Sequence, residues 1–252
     1  GMYMRRSWYY RAHMNPNIRL KLFFMMVLEF FICGAWYPLI FGYLPSVGFS
    51  PAEQTWILST FPAAAIVGMF FSNQFPDRNF PAERFLAVSH VIGGAAMIAL
   101  FWTQSFWPFF LAMLVHCLLY VPTISITNSI AFAQMKDAQK EFGIIRMGGT
   151  IGWIMAAWPM TFILVDWDAV RAAQTSGFVD WLGTVLASGL TGPALQAGTR
   201  WTFVVAGIAS FLLAAFSLAL PHTPPKPVAT GADKFAWLES LRLLAVPFIL
   251  VL

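Results

Sequence analysis

Arg146, Thr150 and Trp153 stand at i, i+4 and i+7 within one apolar stretch. On an α-helix that spacing puts a guanidinium, a hydroxyl and an indole on one face. The charge and the hydroxyl can hydrogen-bond a polar ligand while the indole stacks on a flat ring. Gly148, Gly149 and Gly152 lie between them and permit a neighbouring helix to come close. The competing reading is structural: Arg146 snorkels to a membrane surface and the glycines only pack helices. A second chemistry-bearing residue, Glu29, sits among Leu28, Phe30 and Phe31 with no basic residue within two turns of its own helix. A carboxyl held at that depth suits a group that takes up and releases a proton; the alternative is a protonated or hydrogen-bonded structural glutamate.

A further polar set, His116, Tyr120, Thr123, Thr127 and Asn128, interrupted by Pro122, falls in another apolar run. Such groups either bond across helices or line a pathway. Thr123 and Thr127 read first as interhelical hydrogen-bonders, while Tyr120 and Asn128 are candidate substrate contacts. Trp36 and Trp153 lie deep enough in their runs to stack on a ring, whereas Trp102, Trp107 and Trp201 mark helix ends, as interfacial aromatics do. His90 and His116 are not at metal-ligand spacing with any cysteine or carboxylate, so no metal or other cofactor is expected. Cys33 and Cys117 lie in apolar runs as small hydrophobes. A facing nucleophile and base is likewise missing, which argues against a membrane-embedded enzyme.

The elements that must hold these residues follow from composition. Hydrophobic residues make up 59% of the 252 and charged ones only 10%, against about 25% charged in a soluble domain. Water cannot be the main solvent, so the lipid bilayer is the first partner. A spanning helix needs about 20 mostly apolar residues, and the stretches 20–44, 55–75, 85–104, 107–133, 143–165 and 201–220 meet that. In lipid every backbone amide must be paired within its segment, which makes these runs helices despite their glycines and β-branched residues. The expected fold is therefore an all-α membrane protein with a six-helix bundle over 14–220. Residues 166–200 form a connector on the outer side, whose 178–190 stretch is too short to span and reads as an interfacial or re-entrant helix.

With the N-terminus inside, all but Arg171 and Arg200 of the 15 lysines and arginines fall on the cytoplasmic side, as the positive-inside rule requires. The chain thus reads as a multi-pass protein of a cell (inner) membrane with a cytoplasmic N-terminus. Its basic residues are scattered over connectors and do not line one face, so nucleic acid is not an expected partner. Residues 1–13 read as an extension, disordered or non-native. Residues 221–240 form a cytoplasmic linker, opening on Pro221-His222-Thr223-Pro224-Pro225, and 241–252 read as the truncated start of a seventh helix.

Several of these residues, in order and spacing, resemble the nucleoside:H+ symporter family of the major facilitator superfamily. They are Leu28-Glu29-Phe30 and Gly34-Ala35-Trp36, His90 with Ile92-Gly93, Tyr120-Val121-Pro122-Thr123 with Asn128, Ile145-Arg146 with Gly149-Thr150-Ile151-Gly152, and Leu220-Pro221-His222. The resemblance covers most of residues 14–225. It implies a twelve-helix transporter of two six-helix halves, importing nucleosides or a related ring-bearing metabolite with protons as the coupling ion. Substrate would bind near the midplane and be released by alternating access. The chain then corresponds to the N-terminal half, and its partner is the C-terminal half of the same polypeptide. By the same resemblance Arg146, Thr150 and Trp153 are substrate contacts, Trp153 standing where a familiar permease has Phe. Asp77 and Arg78, in Asn73-Gln74-Phe75-Pro76-Asp77-Arg78, keep the charge pair of the superfamily's gating loop but lack its glycine. Glu29 stands where the familiar permeases have Gln, and the outer connector is longer than theirs. The alternatives are a transporter of another small solute on the same scaffold and a transporter-derived membrane sensor or interaction protein.

Overall fold

The structure is a computed structural model that describes residues 15–71 and 80–225. Among these residues the regular secondary structure is helical, apart from one isolated bridge between Val165 and Gly189. Helix α1 (Pro16–Val47) starts where Asn15 accepts a hydrogen bond from the Asn17 amide, with Pro16 in the first turn, where its missing N–H costs nothing. It ends at Gly48, whose φ of 95° closes the last turn with N–H bonds to the Leu44 and Pro45 carbonyls. Helix α2 (Pro51–Phe71) opens on a capping box: the Ser50 amide donates to Glu53 Oε2 at 2.8 Å and the Glu53 amide to Ser50 Oγ at 3.3 Å. Helix α3 (Ala82–Ala99) continues as a 3-10 turn to Trp102, and α4 spans Phe106–Gln134.

The stretch expected as one helix over 143–165 is two, α5 (Ala138–Met155) and α6 (Ala157–Ile163). Pro159 explains the break, because it has no N–H for the Met155 carbonyl and its ring crowds that oxygen. Asp137 caps α5 at the Lys140 amide, and a hydrogen bond from the Lys140 side chain holds its carboxyl below the usual carboxylate range. The connector carries α7 (Trp167–Ala172), α8 (Phe178–Ala187) and α9 (Gly192–Thr199), and α10 (Trp201–Ser217) completes the bundle. Among the described residues four stretches are long and apolar enough to cross a membrane: Pro16–Val47, Ala82–Trp102, Phe106–Gln134 and Gly192–Ser217. The expected segments 55–75 and 143–165 correspond to helix α2 and the α5–α6 pair, which are not among those four.

Helix α1 lies at the centre, packed on α5 and α10; α3 packs on α10 and α4, and α2 on α4. Apolar side chains gain little by leaving lipid for one another, so close approach of backbones carries the association. A Cβ at Gly148 would lie 2.6 Å from the Phe23 carbonyl oxygen, and one at Gly152 would overlap the Val27 backbone, which makes the glycines the α1–α5 seam. Gly94 and Gly207 do the same between α3 and α10, each facing the other's carbonyl. Thr202 of α10 donates to the Ala35 carbonyl of α1.

The two ends differ. At one, Lys21 Nζ donates to the Ala219 carbonyl at 2.7 Å, and the Ala82 amide donates to the Thr223 carbonyl at 3.1 Å. Glu83 there accepts from the Thr223 amide at 3.0 Å and meets His222 Nδ1 at 2.7 Å, so the segment leaving α10 is docked on the start of α3. At the other end Gln196 donates to the Ser46 carbonyl. The connector closes over that end by Asp166 N–H to the Ser188 carbonyl and Leu190 N–H to the Leu164 carbonyl, both 2.8 Å. Val165, Val170 and Val185 pack beneath it with Trp167 and Trp181. The expected short helix at 178–190 is thus α8, but held in a small folded cap. The extension 1–13, the gating pair Asp77 and Arg78, and residues 226–252, with most of the linker and the start of helix seven, lie outside the described residues.

Candidate functional site

Two polar assemblies flank α1. The first is internal. Glu29 is 0% exposed, and its Oε2 lies 3.1 Å from Nε2 of His90 on α3, itself 2% exposed. Its Oε1 lies 2.8 Å from the Thr123 hydroxyl of α4, and the Glu29 carbonyl accepts from Tyr120 OH at 2.7 Å. Tyr120 stacks on His116 with centroids 5.3 Å apart, and His116 meets the Trp36 ring edge-on at 5.7 Å. His116 Nδ1 lies 3.0 Å from the Gly93 carbonyl, which can only accept, so the ring hydrogen is on Nδ1. That leaves Nε2 an acceptor, and among the described residues neither it nor Trp36 Nε1 has a hydrogen-bond partner.

The second assembly is the α5 face. Arg146 is half-buried, with its guanidinium carbon 4.0 Å above the centre of the Phe30 ring, a cation–π arrangement that holds the charge without a carboxylate. A Cβ at Gly149 would overlap the Arg146 guanidinium and lie 2.7 Å from Phe30, so the glycine makes the room in which Arg146 lies flat. Thr150 is exposed and Trp153 is 40% exposed, on the side of α5 turned away from the Gly148–Gly152 seam. The spacing argument therefore holds: guanidinium, hydroxyl and indole form one open strip beside the bundle.

Of the other candidate substrate contacts, Trp36 and Tyr120 are interior residues of the first assembly. Asn128 is half-buried on α4, with its Oδ1 buried and unpartnered. Glu29 is next in sequence to Phe30, so a single step along α1 joins the internal carboxyl to the ring under Arg146. Sequence reasoning gave Glu29 no partner; the structure supplies His90 and Thr123 from two other helices. The signal lay in the cost of burial, since ionisable groups deep in apolar runs of separate helices normally meet. Thr123 does bond across helices, as read, whereas Thr127 turns back to its own Ile124 carbonyl. A cavity of about 360 Å³ opens between α1, α6 and α8, lined by Gly34, Pro38, Met160, Thr161 and Val185 among others. Its walls are apolar, so it is a gap under the cap and not the polar strip.

The family model described as Nucleoside H+ symporter matches residues 16–174 and 163–252. The chain belongs to the nucleoside H+ symporter family. Within this family it is similar to YegT of Escherichia coli (strain K12), provisionally named a nucleoside transporter, at 36% identity over 206 residues, covering 82% of this chain and 43% of YegT. Nucleoside permease NupG of the same organism is 25% identical over 232 residues, covering 90% of this chain and 47% of NupG. A crystal structure of nucleoside transporter NupG in a mutant form superposes with a TM-score of 0.71 at 21% identity, covering 91% of this chain and 51% of that one. That likeness shows the fold, an all-α helical bundle. The chain spans about half the length of the curated relatives it matches. The relatives it matches are named as transporters and permeases, not as enzymes.

Proposed function

We propose that the chain is the N-terminal half of a proton-coupled secondary transporter, which imports nucleosides or a related ring-bearing metabolite across a bacterial inner membrane by alternating access. The observation that carries the reading is the α5 strip. Arg146 lies half-buried on Phe30, and Thr150 and Trp153 extend the same face with a hydroxyl and an exposed ring. A nucleoside offers the matching chemistry, sugar hydroxyls for the charge and hydroxyl and a flat base for the indole. The names of the relatives point to the same class of substrate. Trp36, Tyr120 and Asn128 are further candidate substrate contacts, and Glu29 is the candidate proton-coupling group. A second half of the polypeptide supplies the facing wall of the site, and Asp77 with Arg78 serves the gating loop.

The test is uptake of radiolabelled nucleoside by the full-length parent with and without Arg146→Ala. Loss of a charge-assisted contact predicts a fall in uptake efficiency of roughly 10- to 100-fold. Unchanged uptake in the variant sinks the role of Arg146, and uptake that unlabelled sugars or amino acids inhibit better than nucleosides reassigns the substrate.

A further inference from the structure

We infer that Glu29, His90 and Thr123 form a proton-binding site in which the Thr123 hydroxyl is the switching element. Its use in transport rests on the reading above; its chemistry stands on the geometry alone. Thr123 owns one hydroxyl hydrogen and has two oxygens in range, the Tyr120 carbonyl at 2.5 Å and Glu29 Oε1 at 2.8 Å. A carbonyl only accepts. If the hydroxyl donates to Tyr120, the contact with Oε1 is a hydrogen bond only when Oε1 carries a hydrogen, which makes Glu29 a carboxylic acid. Oε2 is then the carbonyl-type oxygen and accepts from His90 Nε2–H at 3.1 Å. This arrangement satisfies all three contacts and leaves no charge in the interior.

Loss of the proton from Oε1 leaves a carboxylate. Rotation of the Thr123 hydroxyl then swings its hydrogen from the Tyr120 carbonyl to Oε1, and His90 goes on donating to Oε2. One proton is exchanged, no heavy atom has to move, and both carboxyl oxygens, the Thr123 hydroxyl and His90 Nε2 stay paired in both states. An ordinary buried glutamate has no such second arrangement waiting, and burial without a partner would be costly.

The titratable groups around the site are Cys33 on α1, His90 on α3, and His116, Cys117 and Tyr120 on α4. Helix α10, packed on α1 and α3, carries no titratable side chain between Trp201 and Ser217. The titratable residue of α2 is Glu53, in its first turn. Arg146 of α5 faces the Phe30 side of α1. Among the described residues His90 is the basic side chain within ion-pair range of Glu29, and the Thr123 hydroxyl supplies the compensation when the proton leaves.

Infrared difference spectra of the 252-residue chain in lipid vesicles across about pH 4 to 9, which brackets ordinary carboxyl and imidazole titration, read protonated carboxyl groups directly and require no transport. The expected result is a titrating carboxyl C=O component that Glu29→Gln removes. Thr123→Val should shift that component to higher frequency, and Thr123→Ser, which keeps the hydroxyl, should restore it. The amide band in the same spectra reports whether each variant keeps its helices. No component lost in Glu29→Gln, or identical spectra for Thr123→Val and Thr123→Ser, overturns the inference. Failure of nucleoside uptake by the full-length parent overturns the transport reading instead and leaves the infrared result standing.

Discussion

Arg146 is held by a ring and a vacancy, and that pairing decides what a substitution beside it does. The guanidinium keeps its charge in an apolar setting because Phe30 offers a π face 4.0 Å away and Gly149 offers no side chain. Gly149→Ala should therefore displace Arg146 without replacing it. The added methyl forces the guanidinium off Phe30, and we expect nucleoside uptake by the full-length parent to fall about as far as in Arg146→Ala. Uptake within about twofold of wild type would show that the flat placement does not matter. The α5 strip could be read from sequence because 146, 150 and 153 are neighbours by the period of one helix, whatever the rest of the chain does. The proton-binding trio could not. Glu29 meets His90 across 61 residues and Thr123 across 94, and those distances depend on how three helices slide past one another. Composition says that a buried carboxyl needs partners; only the packed register says which.

At the scale of the element, each glycine of α5 has its own consequence. Gly152 faces the Val27 backbone of α1 so closely that a methyl there has nowhere to go, whereas Gly143, on the same helix, has nothing within 4 Å of the same position. Gly152→Ala should separate α1 from α5 and destabilise the bundle by about 1–3 kcal/mol, as overpacking does. Gly143→Ala should stabilise it by about 0.5–1 kcal/mol through helix propensity alone. Thermal melting of both variants in detergent separates the two effects, and equal shifts would refute the seam. Helix positions were legible from hydropathy to within a few residues at most ends, α1 over 16–47 against an expected 20–44. The break at Ala156 was not read in advance, although Pro159 was its visible cause, because prolines within Pro38-containing α1 and Pro122-containing α4 leave those helices unbroken. A proline announces a weak point, and packing decides whether the helix parts there.

For the whole molecule the division of charge is the governing pattern. Arg19, Lys21, Arg84, Lys136 and Lys140 lie towards the end where α1 begins and α10 finishes, and Arg171 and Arg200 belong to the capped end. If that division sets orientation, a reporter fused before Asn15 should be active only in the cytoplasm and one placed near Ser176 only outside. The reverse pattern would invert the topology. Because the α5 strip is an open face, we also expect the 252 residues alone to show no saturable nucleoside uptake in proteoliposomes, and saturable uptake would mean that one half suffices. The cap has a different kind of consequence. The chain enters it at Val165 and returns at Gly189 as its paired neighbour, so the distance between its two anchor points is indifferent to how many residues are threaded between them. Such a closed excursion is modular: its length is free to drift over generations, and the inserted stretch can be shortened, tagged or swapped while the helices below keep their register.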